Sequence, residues 1–349
     1  MRICLFAQHK YAVDILHPLQ IQADKEGGHE VLWFVDARNI TTFPLKDDVN
    51  YTNSIQEIYD FSPEVIFSPG NIVPYYLSGV KIGIFHGYSD KKDQFVMRRY
   101  YDIYFTQGAY FTRRFEAMRK RYKDYEVLET GWPRQDWIFH HKNDFDAEKA
   151  EYLKKYNKSK IVLYAPTFSP SLTSLPKLKS QIRRLAEEED VVVFCKFHPL
   201  TKQIWIDEYK QLANEVDNII FFDDPTVTKY ILMCDIIISD SSSTIYECLL
   251  MDKPAITLET IEKANYWLDI KHSEELLPAY RDEINNDHFA QLRKWVIENY
   301  DPYLDGNVGK RMLDGARDYI KRHGVPKYRK LNLWRVYTSI KTFGRIKRH

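Results

Sequence analysis

Short apolar runs alternating with amphipathic stretches recur along most of this chain, and few folds accommodate that rhythm. In the first half, Ile3–Ala7, Glu30–Val35, Val65–Ser68, Lys81–Phe85, Ile103–Thr106 and Glu126–Thr130 read as strands. Helical periodicity fills Val13–Glu26, Ser54–Asp60 and Tyr110–Arg121 between them. The second half repeats the scheme, with strands over Lys160–Ala165, Val191–Phe197, Ile219–Phe222, Ile236–Ser239 and Ala255–Leu258. Its helices fall on Lys179–Glu189, Ile204–Val216, Val227–Met233 and Thr244–Met251. Strands alternating with helices predict α/β layers around mostly parallel sheets.

The two series meet at a polar stretch, Asp144 to Ser159, and 349 residues are too many for one ordinary core. The expectation is two Rossmann-like domains: 1–143, a linker at 144–159, and 160–300, followed by a closing helix over 301–326 and a basic tail over 327–349. In such open sheets ligands bind beyond the carboxyl ends of the strands, here in a cleft between the domains.

A hydrophobic fraction of 44% with 28% charged residues suits a soluble globular protein. No run approaches the roughly 20 apolar residues of a membrane span. The opening segment before Gln8-His9-Lys10 reads as a first strand and not as a secretion signal. Cys4, Cys195, Cys234 and Cys248 sit in apolar surroundings without CxxC spacing, which predicts buried free thiols in a reducing cytoplasm. The net charge of +1 conceals an asymmetry. Ten Lys and Arg and no acidic residue fall in Lys321–His349, leaving 40 basic against 49 acidic residues in the rest. Such an acidic body disfavours nucleic acid.

Several motifs carry chemistry. In Ile236-Ile-Ile-Ser-Asp-Ser-Ser-Ser-Thr-Ile-Tyr-Glu247 a strand runs into serines and then a helix. One serine would suffice to cap that helix, whereas this cluster suits a phosphate held by the first-turn amides. Asp240, Ser241, Ser242, Ser243 and Glu247 are its candidate contacts. Val191-Val-Val-Phe-Cys-Lys-Phe-His-Pro199 ends a strand with Lys196 and His198 on one side, a cation and an imidazole suited to a diphosphate. Gly83-Ile-Phe-His-Gly-Tyr-Ser-Asp-Lys-Lys92 delivers His86 as a candidate base for an acceptor hydroxyl. Gly87 allows a tight turn there, and Lys91 and Lys92 balance anionic groups. Thr167, in Leu163–Phe168, and Arg134, in Gly131–Asp136, are further phosphate candidates. There is no P-loop, no GxGxxG after the first strand, no HExxH and no GxSxG, and no metal or other cofactor is expected.

These motifs, taken in order with Asp305-Gly-Asn-Val-Gly-Lys-Arg311, resemble the CDP-glycerol glycerophosphotransferase family, the polymerases and primases of teichoic acid and related capsule synthesis. Ser241 stands where that family carries an aromatic residue, and Ser89 where it carries proline. The resemblance implies a GT-B-type fold, His86 and His198 as catalytic residues, and a CDP-linked donor whose diphosphate lies against Ser241, Ser242 and Ser243. It implies transfer of an alcohol phosphate to a glycan or lipid-linked acceptor with release of CMP. The alternatives are a GT-B glycosyltransferase using a nucleotide sugar, a UDP-sugar 2-epimerase, and a non-catalytic glycan- or nucleotide-binding module.

In the tail, Leu333, Val336, Tyr337, Ile340 and Phe343 recur at helical spacing among Arg335, Lys341, Arg345, Lys347 and Arg348, with Trp334 as an interfacial anchor. This pattern predicts a helix on an anionic membrane, at the inner face of the plasma membrane, in preference to one packed on the first domain.

Overall fold

The computed structural model describes residues 1–70, 72–85, 87–88, 100–121, 123–224, 226–263, 266–326 and 332–347. The chain divides into two compact units, one of Met1–His86, Lys91–His140 and Tyr300–His349, the other of Gly87–Asp90 and His141–Asn299.

The first unit is built on β1 (Arg2–Ala7), β2 (Glu30–Val35), β3 (Tyr51–Thr52), β4 (Val65–Ser68), β5 (Val80–Ile84), β6 (Ile103–Thr106) and β7 (Glu126–Glu129). They form one sheet in the order β3-β2-β1-β4-β5-β6-β7, every pair parallel, with Ile3 opposite both Val31 and Val65. Residues Ile3 to Ala7 are all buried, and so are β4, β5 and β6. That is why these strands read as continuous apolar runs without alternation. Helices α1 (Tyr11–Glu26), α2 (Ile55–Phe61), α3 (Ala109–Arg119) and α4 (Arg134–His141) follow strands of this sheet.

The second unit opens with α5 (Asp146–Tyr156), so the polar stretch expected to be a linker is largely helix. It packs by Tyr152, whose ring meets Phe194 and Phe222, while Lys149 pairs with Asp235 at 2.7 Å. One apolar anchor in a charged helix escapes a reading based on composition. The sheet comprises β8 (Lys160–Tyr164), β9 (Val191–Lys196), β10 (Ile219–Phe222), β11 (Ile236–Ser239), β12 (Ala255–Leu258) and β13 (Leu268–Ile270). Its order is β10-β9-β8-β11-β12-β13, again all parallel, so β8 is central and the chain reverses direction of addition at β8/β11. The helices are α6 (Leu175–Glu188), α7 (Gln203–Glu215), α8 (Thr228–Met233), α9 (Thr244–Leu250), α10 (Leu276–Asn286) and α11 (Ala290–Tyr300). Leu178, Ile182 and Leu185 of α6 pack with Val191, Val193 and Cys195 of β9 in one core. All four cysteines are buried and free.

The chain closes with α12 (Val308–His323) and α13 (Leu333–Phe343), both in the first unit. A clasp of motif residues seats α12. Asp136 accepts from the Val308 and Gly309 amides at 2.9 and 2.7 Å, capping the helix from a distant part of the chain. Arg311 donates to the Thr130 carbonyl at 2.8 Å, pairs with Asp305 at 2.7 Å and stacks on Tyr303. Gly131 has φ of 88°, and a Cβ there would lie 2.8 Å from Tyr303 Cβ, so only glycine lets the segment pass.

If this clasp holds the closing helix, Asp136→Ala leaves two first-turn amides unpaired. Urea unfolding should then show a loss of about 1–3 kcal/mol, and an unchanged midpoint would refute the capping role.

Candidate functional site

In the second unit the loops leaving β8, β9 and β11 lie side by side, because those strands are neighbours in the sheet. Asp240, one residue beyond β11, ties two of them together. Its Oδ1 accepts from the Thr167 amide at 2.9 Å and the Ser241 amide at 2.6 Å. Its Oδ2 accepts from the Ser174 amide at 2.8 Å and the Ser174 hydroxyl at 2.9 Å. Burial pushes the carboxyl's pKa above its ordinary value, and the Ser174, Thr167 and Ser241 amides pull it back down. A fully buried carboxylate is tolerated because four donors replace its lost hydration.

The serines divide in role. Ser241 is buried, and its hydroxyl accepts from the Ile261 amide at 3.1 Å, which fixes the loop after β12. Ser242 accepts from the Thr244 amide at 3.3 Å and donates to the Thr244 hydroxyl at 3.1 Å. Its carbonyl and that of Ser243 take the amides of Ile245 and Tyr246. The amides of Ser242 and Ser243 find no acceptor among the described residues, and Ser243 is exposed. Glu247 lies in the first turn of α9 and is half-buried. That helix has seven residues, so its orienting power lies in these local amides more than in a long dipole.

Lys196 ends β9 almost wholly buried, its ammonium donating to the Phe197 carbonyl at 3.1 Å. Burial lowers its pKa from the ordinary value, opposed by Asp224 and Asp223. His198 is exposed and stacks on Phe168 from the β8 loop, with ring centroids 4.4 Å apart. Thus Thr167, Lys196, His198, Asp240, Ser241, Ser242 and Ser243 lie at or just beyond the carboxyl ends of three neighbouring strands of one sheet, with Glu247 in the helix that follows β11.

Arg134 and Gly87 are the remaining described candidates. Arg134 opens α4 in the first unit, half-buried, with its guanidinium 5.6 Å from the Trp132 ring. Its charge bears on Asp14 of α1, where it opposes the upward pull of burial on that carboxyl. Gly87 has φ of 91°, the left-handed conformation that glycine adopts without strain. His86, Lys91 and Lys92 lie outside the described residues. Sequence reasoning missed Ser174 and Ile261, since nothing local marks a serine at the start of α6, or an amide, as a partner of the serine loop.

In the first unit, a groove of about 780 Å³ beside the start of β2 is lined by Asp24, Glu30, Asp47 and Asp48. Four carboxylates make it unsuited to a diphosphate. Among the described residues no cluster of three or more His, Cys, Asp or Glu is placed to hold a metal ion.

The Asp240 network should be mechanically necessary. Asn at this position offers one acceptor where the loops need two, so Asp240→Asn should lower unfolding stability by about 2–4 kcal/mol. A variant as stable as the parent would show that the loops hold without it.

Comparison with known proteins bears on this geometry. The chain is 33% identical over 144 residues to the teichoic acid ribitol-phosphate polymerase TarL of Staphylococcus aureus, covering 38% of this chain and 25% of that protein. The chain spans a quarter to about half the length of the curated relatives it matches. Among solved structures, the wall teichoic acid polymerase TagF is similar with a TM-score of 0.64 at 18% identity, over 92% of this chain and 89% of that one. S. aureus MnaA, solved with UDP, gives 0.65 at 16% identity, over 92% and 97%. These likenesses give the fold, two parallel-sheet α/β units of GT-B type. Residues 82–266 match the family model described as CDP-glycerol:poly(glycerophosphate) glycerophosphotransferase, and the chain therefore belongs to that family of transferases.

Proposed function

We propose that this chain moves an alcohol phosphate, glycerol phosphate or a close analogue, from a CDP-linked donor to a hydroxyl of a cell-surface glycan or lipid-linked acceptor. The observation that carries the reading is the pair of open amides at Ser242 and Ser243, one strand removed from the β8 loop that meets His198. The carboxyl edge of a parallel sheet at its switch point is where such folds bind nucleotides. The family membership supplies the donor class.

In this reading the acceptor oxygen attacks the phosphorus bearing the alcohol, a new P–O bond forms, and the bond to the bridging oxygen breaks with its electron pair leaving on CMP. His86 takes the hydroxyl proton, and Gly87, Lys91 and Lys92 serve the acceptor side. The Ser242 and Ser243 amides, Lys196, His198 and Thr167 meet the growing negative charge, with Arg134 as a further phosphate contact. Preorganised donors of this kind usually supply the largest share of catalysis. Asp240 and Ser241 act one step back, since their side chains already hold the loops. Positive charge comes from the chain's own amides and cations, with no cofactor invoked.

A panel of CDP-glycerol, CDP-ribitol and UDP-sugars, read by thermal shift and nucleotide release, tests the donor. A CDP-alcohol at a hundred times its Kd should stabilise the protein by about 2.7 kcal/mol, with acceptor-dependent CMP release. Stabilisation by UDP-sugars alone would move the reading to a glycosyltransferase or an epimerase. CDP binding without turnover would favour a binding module. His86→Ala should reduce turnover on the order of 10²–10⁴-fold while the donor-induced shift persists, and full activity would end its role as base.

The tail joins this reading as a membrane contact at the inner face of the plasma membrane, where a lipid-linked acceptor would lie. Among the described residues no helix is long and apolar enough to cross a membrane. One face of α13 is docked on the first unit. Buried Ser339 accepts from the Tyr75 amide at 2.9 Å, Thr338 bonds the Tyr100 hydroxyl at 2.6 Å, and the Phe343 ring lies 5.6 Å from Phe6. Arg335 sits over the Tyr100 ring, and the Lys347 amide donates to Gln56 at 2.7 Å. The opposite face leaves Leu333, Trp334 and Tyr337 exposed by 75%, 70% and 55%, beside exposed Lys341 and Arg345. Arg348 lies outside the described residues. Packing on the body and membrane contact therefore use different faces of one helix.

Changing Leu333, Trp334 and Tyr337 together to Ser should lower partition onto anionic vesicles about tenfold or more without unfolding the protein. Unchanged partition would remove the membrane from the reading.

A further inference from the structure

Phe168 and the turn after β9 constrain His198 more closely than its exposure suggests. His198 to Thr201 form a β-turn, closed by the Thr201 amide donating to the His198 carbonyl at 2.9 Å. Pro199 occupies its second position, where proline presets φ, and it carries no N–H. The first amide available beyond His198 is therefore that of Leu200, and it donates to His198 Nδ1 at 3.1 Å. A backbone amide only donates, so Nδ1 must present its lone pair, and the neutral ring carries its proton on Nε2.

The Phe168 ring covers one face of the imidazole, with planes 28° apart. Partial burial, and then the positive charge of Lys196, lower the imidazole's pKa below its ordinary value. Lys196 is the charged group acting on the ring, and Asp223 and Asp224 beyond β10 act in turn on Lys196. A ring whose Nδ1 is already taken and whose cationic form is disfavoured is poorly suited to shuttle protons. It is well suited to offer one fixed N–H.

We propose that Phe168 is a positioning residue which, with the His198–Thr201 turn, holds His198 as the Nε2–H tautomer, so that His198 meets the donor phosphate as a hydrogen-bond donor and transfers no proton. This rests on the donor-side role of His198 given above. It separates the two histidines by task, since the proton of the acceptor hydroxyl must then go to another group.

The test uses the full chain labelled with ¹⁵N-histidine, its His198 signals assigned by their loss in His198→Gln. Long-range ¹H–¹⁵N correlation near neutral pH should show unprotonated Nδ1 and protonated Nε2, titrating below free histidine. Phe168→Ala should raise that titration toward free histidine and mix the tautomers, whereas Phe168→Tyr should preserve both. With a CDP-alcohol donor, Phe168→Ala should lower kcat about tenfold or more with KM nearly unchanged, and Phe168→Tyr should restore it. Protonated Nδ1 in the resting protein would overturn the proposal. So would a His198 titration and kcat identical in Phe168→Ala and the parent. Failure of every CDP-alcohol to turn over would count against the transferase reading, and the NMR measurement would still decide the tautomer.

Discussion

The carboxylate of Asp240 is the constraint on which the candidate site depends. Three strands end beside one another in the second sheet, and their loops have no regular ladder to fix them. One buried anion collects donors from Thr167, Ser174 and Ser241, and so sets the β8 and β11 loops relative to each other. Burying a charge is costly unless every lone pair is used, and the same cost makes the arrangement specific. Beside these held loops, the amides of Ser242 and Ser243 find no acceptor among the described residues. Ser241 extends the network to the loop after β12 through the Ile261 amide.

The first unit solves a similar problem with another motif aspartate. Asp136 caps α12 across more than 170 residues of sequence, and Arg311 returns from that helix to the Thr130 carbonyl at the end of β7. Two segments that stand apart in the sequence, Gly131–Asp136 and Asp305–Arg311, are thus one structural unit. Arg134 lies within this setting in the first unit, beside Trp132 and acting on Asp14.

The closing helix α13 shows how one amphipathic pattern serves two surfaces. Ser339, a polar residue in the middle of the helix, is its most buried position because its hydroxyl meets the Tyr75 amide and its small size lets the helix approach. Lys81, buried in β5, donates to the Pro74 and Tyr75 carbonyls and steadies that loop from the sheet side. The apolar stripe read along the tail therefore splits. Phe343 turns to Phe6 and Phe34, while Leu333 and Tyr337 face outward.

What the sequence determined by itself was the layered α/β plan. Strands buried on both faces must be apolar along their whole length, which made β1, β4, β5, β6, β8, β9, β11 and β12 legible, and eleven of the thirteen strands among the described residues were found, including the half-buried β7. The two-residue β3 and the three-residue β13 are too short to carry a pattern, and α5 hides its anchor Tyr152 among charges. The residues at the carboxyl ends of β8, β9 and β11 were also legible, because polar residues after apolar strands stand out. Only the tertiary structure decided their roles. It turned Asp240 inward to hold loops, left two amides open, stacked Phe168 on His198 and chose which face of the last helix to bury. Those outcomes depend on which strands become neighbours and which donors meet which acceptors, and contacts between distant residues leave no local trace in a chain.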